Sequence, residues 1–177
     1  MESKFKAKLS NYSILLTILV NIVGISVPYI LFFRTDLIRT DNQPPDYVKY
    51  LFCAILIITL ILTFLLHPTK YIINKNGIII KNLLYNKLIS SEQIISVEKI
   101  NYPQLSIRMR LFASGGVWGF FGLFRSSTYG NINMQTTNFN NLVLIKTKNK
   151  KITIISPENS QIFLNEYIEI LRTIKNE

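Results

Sequence analysis

The sequence predicts a two-helix transmembrane hairpin followed by a mainly-β domain of about seven antiparallel strands that closes on one amphipathic helix. Three observations carry that expectation. Two long apolar segments, Tyr12 to Phe33 and Val48 to Leu66, fill the first third of the 177 residues. From Pro68 onward, short apolar runs alternate with polar residues and are separated by Asn, Gly, Pro and Lys, as in half-buried strands. The final stretch then returns to a helical period.

The first apolar segment has 22 residues and would extend roughly 33 Å as a helix; the second has 19 and would extend about 28 Å. Both match a hydrocarbon core of about 30 Å. Lys49 lies near the start of the second, where its stem can snorkel to the headgroups. Backbone groups in lipid must be satisfied within the chain, so segments of this length are helical. Lys4, Lys6 and Lys8 also resemble the basic start of a signal peptide. The apolar run is too long for that role and no A-x-A cleavage pattern follows, so the helix is expected to be retained.

The connector, Arg34 to Asp46, has Arg34 and Arg39 but also Asp36, Asp41 and Asp46, and Asn42-Gln43-Pro44-Pro45 marks it as a turn. Lysines precede the first helix and follow the second at Lys70, Lys75 and Lys81. The positive-inside bias places the N-terminus and the domain in the cytoplasm, with a multi-pass anchor. Residues 1–67 form the tail and hairpin, and residues 68–177 form the domain. Cys53, the single cysteine, sits in the second helix, so no intramolecular disulfide exists. Thr17 and Asn21 are polar positions inside the first helix, suited to interhelical hydrogen bonds and too few for a transport path.

Pro68 ends the second helix. Tyr71-Ile72-Ile73 and Ile78-Ile79-Ile80 flank Asn74 to Gly77 as a hairpin, because Asn and Gly accept the positive φ of tight turns. Leu84 to Ile89 reads as a strand, Ser90 to Glu92 as one helical turn, and Ile94 to Ile100 as a strand with Ile95, Val97 and Lys99 on one face. Asn131 to Thr136, Asn141 to Thr147 and Lys151 to Ser156 are three further strands. A helix is expected from Pro157 to Ile174 with Ser156 as N-cap. Its apolar stripe is Phe163, Tyr167, Ile170, Leu171 and Ile174.

The net charge of +10 is concentrated in the domain, which has fourteen Lys or Arg against six Glu; between Lys99 and Pro157 there are eight basic residues and no acidic one. Anionic lipid is one partner for such a face, at about 1 kcal/mol per Lys or Arg near the surface; charge for solubility alone is the other reading. Nucleic acid is not expected, because no recognition helix, zinc spacing or RNP-like run is present.

Four of the seven glycines fall in SGGVWGFFGLF, Ser114 to Phe124. Trp118, Phe120, Phe121, Phe124 and Arg125 make this the candidate interaction segment. It either forms an exposed wedge at headgroup level or folds inward to plug one end of a barrel; the second is favoured, because so apolar a cluster would otherwise be a large exposed patch. No phosphate-loop spacing is present.

The order of two apolar helices, YIINKNGIIIKN, SEQIISVEK, RLFASGGVWGFFGLFRSSTYG and NLVLIKTKNKKITIISPENSQIFL resembles the bacterial pleckstrin-homology (PH-like) membrane proteins from Pro68 to the C-terminus. The resemblance implies a PH-like barrel of a four-stranded and a three-stranded sheet with a C-terminal helix at one end, in the bacterial cytoplasmic membrane. It also implies that a phosphoinositide site, if shared with eukaryotic PH domains, would use the loop Asn74 to Gly77. That loop offers only Lys75 and lies one strand, roughly 17 Å, beyond the helix. Inositol-lipid binding there, in the chain's own bilayer, is not expected.

The domain has no His, Cys or Asp, so catalysis, cofactor and metal binding are not expected. His67 sits at the membrane edge as an interfacial cap. The leading functional reading is a non-enzymatic module that binds a protein partner or assembles with itself at the membrane, through exposed strand edges and the glycine-aromatic segment. The alternative is a sensor of anionic lipid or a phosphate ligand, with Arg108, Arg110, Lys146, Lys148, Lys150 and Lys151 as candidate contacts, and with Arg125 beside them.

Overall fold

The computed structural model describes residues 2–33 and 45–176, with side chains to residue 173; most of the connector between the apolar helices lies outside the described residues. Strand β1 (Ser3–Lys6) precedes helix α1 (Asn11–Phe33), and α2 (Asp46–Leu66) runs back to the domain. Both helices are long and apolar enough to cross a membrane. They pack closely at Gly24, where a Cβ would come within 2.6 Å of the Leu60 side chain. Asn21 does not bridge them. Its amide donates to the Thr17 carbonyl of its own helix, and the Thr17 hydroxyl donates to Ser13 O.

The domain contains β2 (Pro68–Asn74), β3 (Gly77–Asn82), β4 (Asn86–Ser90), a 3-10 turn (Ser91–Gln93), β5 (Ile94–Ile100), α3 (Tyr102–Leu105), β6 (Ile107–Gly116), β7 (Gly119–Ser126), β8 (Gly130–Thr136), β9 (Leu142–Thr147), β10 (Ile152–Ile155) and α4 (Ser160–Asn176). They form two open sheets, β1-β2-β3-β4 and β5-β9-β10-β8-β7-β6. This corrects the sequence expectation in three respects. The sheets do not close into a barrel, the second has six strands, and β10 lies parallel to β8 because it inserts between β9 and β8. The added strands are β1, contributed by the tail, and the β6–β7 pair, formed by the glycine-aromatic segment.

Strand β1 pairs antiparallel with β2, Phe5 opposite Tyr71, so tail and domain lie on one side of the helix pair. Phe5 reaches the ring of Phe163 edge-on at 5.1 Å. Between the sheets and α4, Tyr71, Ile73, Ile78, Ile80, Val143, Ile145, Ile155, Phe163 and Ile170 make the main core. The opposite face of the six-stranded sheet carries a second core of Leu105, Phe124, Ile132, Met134, Leu144 and Ile154. In β5 a register shift between Ile94 and Ser96 breaks the expected alternation. Ile94 and Val97 therefore pack inward and Ile95 is turned out, whereas Lys99, in register with Val143, keeps the face of Val97 and is exposed. Helix α4 begins at Ser160, later than expected, because Asn159 Oδ1 accepts the N–H groups of Gln161 and Ile162. Ser156 is buried instead and accepts from the Thr137 N–H at 2.8 Å. Phe163, Tyr167 and Ile170 are buried on the domain, Leu171 is 38% exposed, and the side chain of Ile174 lies outside the described residues.

The phenol of Tyr71 is fully buried, donates to Gln135 O at 2.7 Å, and burial raises its pKa from 10.0 to about 12 despite the contact with Ser156. Its raised folded-state value favours the neutral form. The resulting stability is complete below pH 10 and is lost as pH rises towards about 12, on the order of 3 kcal/mol across that window. Thermal unfolding followed against pH should show this alkaline slope in the wild type and a shallower one in Tyr71→Phe. Equal slopes would assign the alkaline loss to other groups.

Candidate functional site: the aromatic hairpin at the helix bases

The glycine-aromatic segment forms an antiparallel hairpin, β6 against β7, from Ile107↔Ser126 to Gly116↔Gly119 at the tip. Two register shifts, at Ile107/Met109 and Arg110/Phe112, bend β6. Val117 and Trp118 make the turn, with Trp118 at φ 56° and Gly116 at φ 130°. The Ser114 hydroxyl donates to Val117 O at 2.7 Å and pins the tip. At Gly116 the close approach itself demands glycine, since a Cβ would come within 2.7 Å of Leu16 and 3.1 Å of Tyr12 on α1.

The tip lies against both apolar helices. The Trp118 N–H donates to Thr17 Oγ1 at 2.9 Å, about 9 Å along α1 from its first residue. The Trp118 indole packs edge-on to Phe64 at 5.0 Å and stacks on His67 at 5.6 Å. Phe120 stacks on Tyr12 at 6.3 Å and meets Phe139 at 4.2 Å. Phe121 faces a cavity of about 290 Å³ whose far wall is Thr59, Leu62, Thr63 and Leu66 of α2. Phe124 belongs to the second core. Trp118, Phe120, Phe121 and Phe124 thus turn inward, but onto the two apolar helices and the sheet. Arg125 remains exposed.

Further bonds fix the domain to both helix ends. Ser10 caps α1 by accepting from the Ser13 N–H at 3.1 Å. The Ser10 N–H donates to Thr137 O at 3.0 Å, and the Thr137 hydroxyl and Asn138 amide donate to Lys8 O at 2.8 and 2.9 Å. At α2, carbonyls that a helix end leaves without partners are taken up by the Leu84 N–H (on Leu65 O, 3.1 Å) and the Asn82 amide (on Leu66 O). The expected cap His67 stacks on Trp118 and contacts Phe64 O.

The basic residues expected to act together divide between two faces. Arg108 and Arg110 border a groove with Tyr102, Phe120, Phe124 and Phe139 on the second-core side. Lys146 pairs with Glu98 at 3.4 Å. Lys148 is exposed on the β9–β10 turn, where its N–H donates to Gln93 O at 2.8 Å. Lys150 and Lys151 line a separate cleft of about 480 Å³ between β4 and the β7-β8-β10 face. Lys87 also lines it, a residue that the sequence reading missed. Its alternation in NKLIS, which places Lys87 and Ile89 on one face, was the available signal. Among the described residues, no group of three His, Cys, Asp or Glu could hold a metal ion.

What remains open at the helix bases is the outer edge of β6. Met109 and Phe112 are exposed there, Phe112 at 87%, and Phe112 borders the cavity beside α2. The site as a whole offers packing and charge for recognition. Comparisons with curated proteins and with solved structures find no match. A family model described as bacterial PH domain matches residues 69–169, more than half of the chain, covering every strand from β3 to β10 and most of α4. The two-sheet domain with its closing helix, set on two apolar helices, therefore belongs to the bacterial PH domain family.

Proposed function

We propose that this chain is a non-enzymatic, membrane-anchored interaction module whose PH domain makes a lateral contact with another membrane protein, a second copy of itself included. In this reading α1 and α2 cross the bacterial cytoplasmic membrane, with the tail and domain in the cytoplasm. The flanking lysines and the β1–β2 pairing, which holds tail and domain together, support that orientation. The observation that carries the proposal is Phe112, a large apolar side chain almost fully exposed on an edge strand beside α2. Trp118, Phe120, Phe121 and Phe124 are already engaged within the chain and leave that ridge as the free apolar surface of the hairpin. The two register shifts and the flanking Arg108 and Arg110 blunt the edge against strand addition. Contact is therefore made by side chains.

Burying a phenylalanine contributes about 2–3 kcal/mol. Phe112→Ala should then weaken self-association in a bilayer, read as energy transfer between donor- and acceptor-labelled chains, by roughly thirtyfold or more. Disulfide trapping at a cysteine placed at position 112, in a Cys53→Ala background, should give a dimer or an adduct with one neighbouring protein. Unchanged energy transfer in Phe112→Ala together with no trapped adduct would show that the ridge faces lipid, and would overturn the reading.

A further inference from the structure

The cleft between the two open sheets has a composition that packing alone does not explain. Its floor is one face of the six-stranded sheet, where register sets Leu123 opposite Asn133 and Asn133 beside Thr153. Lys87 on β4 overhangs this floor and Lys151 enters from the start of β10. The Asn133 amide satisfies both its ends only with Oδ1 towards Lys87, accepting from Nζ at 2.7 Å while its nitrogen donates to Met134 O at 3.2 Å. None of the residues lining the cleft is Asp or Glu. Burial first, and then the charge of Lys151, push the Lys87 ammonium below its ordinary pKa. Two cations brought together on a half-buried polar floor without a carboxylate are costly unless an anion joins them.

We infer that this cleft is a binding site for a phosphomonoester carried on a small polar body. Two lysines act as point charges around a tetrahedral dianion, whereas planar carboxylates favour the paired donors of arginine, and the cleft has none. Asn131, Asn133 and Thr153 supply donors and acceptors for hydroxyl groups on the ligand body. The volume, about 480 Å³, lies in the range of small-molecule sites, about 300–1,000 Å³. Lys87 pairs in register with Ile80, which is opposite Tyr71. It stands three residues beyond the start of β2, about 10 Å from the end of α2. Lys151 stands farther out, on the β9–β10 turn, where the Lys148 N–H reaches Gln93 O and the nearby Ser91 N–H reaches Asn76 O of the distal hairpin turn. The charged end of the cleft therefore lies away from the helices and favours a soluble phosphate ester, and a lipid headgroup carrying the same phosphomonoester is the source that the test separates from it. The cleft is separate from the Phe112 ridge and from the Asn74–Gly77 turn.

The test uses the full chain in phosphatidylcholine nanodiscs, titrated calorimetrically with glycerol 3-phosphate. A parallel sample carries phosphatidic acid, which bears the same phosphomonoester, and retained lipid is read by native mass spectrometry. Saturable binding of either probe is expected to fall at least tenfold in Lys87→Gln and Lys151→Gln. Lys148→Gln, which removes the same charge from the adjacent exposed turn, should leave it unchanged. Binding of glycerol 3-phosphate alone assigns a soluble ligand; phosphatidic acid alone, or its displacement of glycerol 3-phosphate, assigns a lipid headgroup. Should Lys87→Gln fail to fold, the exposed Lys151→Gln decides the matter. Absence of saturable binding in both arms, or equal loss in Lys148→Gln, would overturn the site.

Discussion

Trp118→Ala is expected to release the hairpin from the helix pair while the domain stays folded. The indole is half-buried between Phe64 and His67, and truncating a side chain of this size in a partly buried site costs about 2–3 kcal/mol. The neighbouring hydrogen bond to Thr17 contributes about 1 kcal/mol more, so Thr17→Val should produce a smaller effect of the same kind. Spin labels at Ser127, on the β7–β8 turn, and at Tyr29, on α1, report the docking angle directly. The wild type should give one narrow distance distribution, and Trp118→Ala a broad one, with thermal unfolding of the domain little changed. A narrow distribution in the variant would show that the Ser10, Asn82 and Asn138 bonds hold the domain by themselves. The result bears on the proposed function, in which the Phe112 ridge selects a neighbour in the membrane plane, because that selection requires the domain to keep its orientation.

Phe163→Ala should destabilise the domain itself. Phe163 is fully buried and is shared by α4, the four-stranded sheet and Phe5 of the tail strand. Phe→Ala at such a site costs about 3–5 kcal/mol, which for a domain of this size lowers the unfolding temperature by well over 10 °C. Differential scanning of the full chain, with hydrogen exchange along β1 and α4, separates two outcomes. Coupled loss of protection in both elements is expected, because Phe5 rests on the vacated position. Loss in α4 alone would mean that β1 is held by its ladder with β2 and not by the core.

Periodicity made most of the fold legible. The lengths of the apolar segments, the Asn-Lys-Asn-Gly turn and the spacing of Phe163, Tyr167 and Ile170 each reflect a local rule, and local rules survive without tertiary information. The failures were also local in origin. Ser3 to Lys6 is too short for its alternation to stand out beside three lysines. It becomes a strand because β2 presents a free edge and Phe163 a place for Phe5. Ser156 has the chemistry of an N-cap, but the backbone of Thr137 claims its oxygen. In β5 one extra residue puts Ile94, and not Ile95, on the core face with Val97.

The candidate site was less legible, for a different reason. The aromatic and glycine residues of the hairpin were identifiable as the segment of consequence, yet composition cannot say what such a cluster packs against. Similarly, the basic residues grouped by composition separate, Arg108 and Arg110 on one face of the sheet and Lys150 and Lys151 on the other, while Lys87 and Lys151, far apart in sequence, share a cleft.

Length and period alone specify two helices long enough for a bilayer and, behind them, a strand-rich domain that closes on an amphipathic helix. Each segment carries its length and period on its own. Joining of the tail to the domain, locking of the aromatic tip onto both helices, and the meeting of two lysines in a cleft lined by no carboxylate all arise in the assembled fold. Each of those depends on which surfaces remain unpaired once the strands have formed, and this is a property of the assembled sheets.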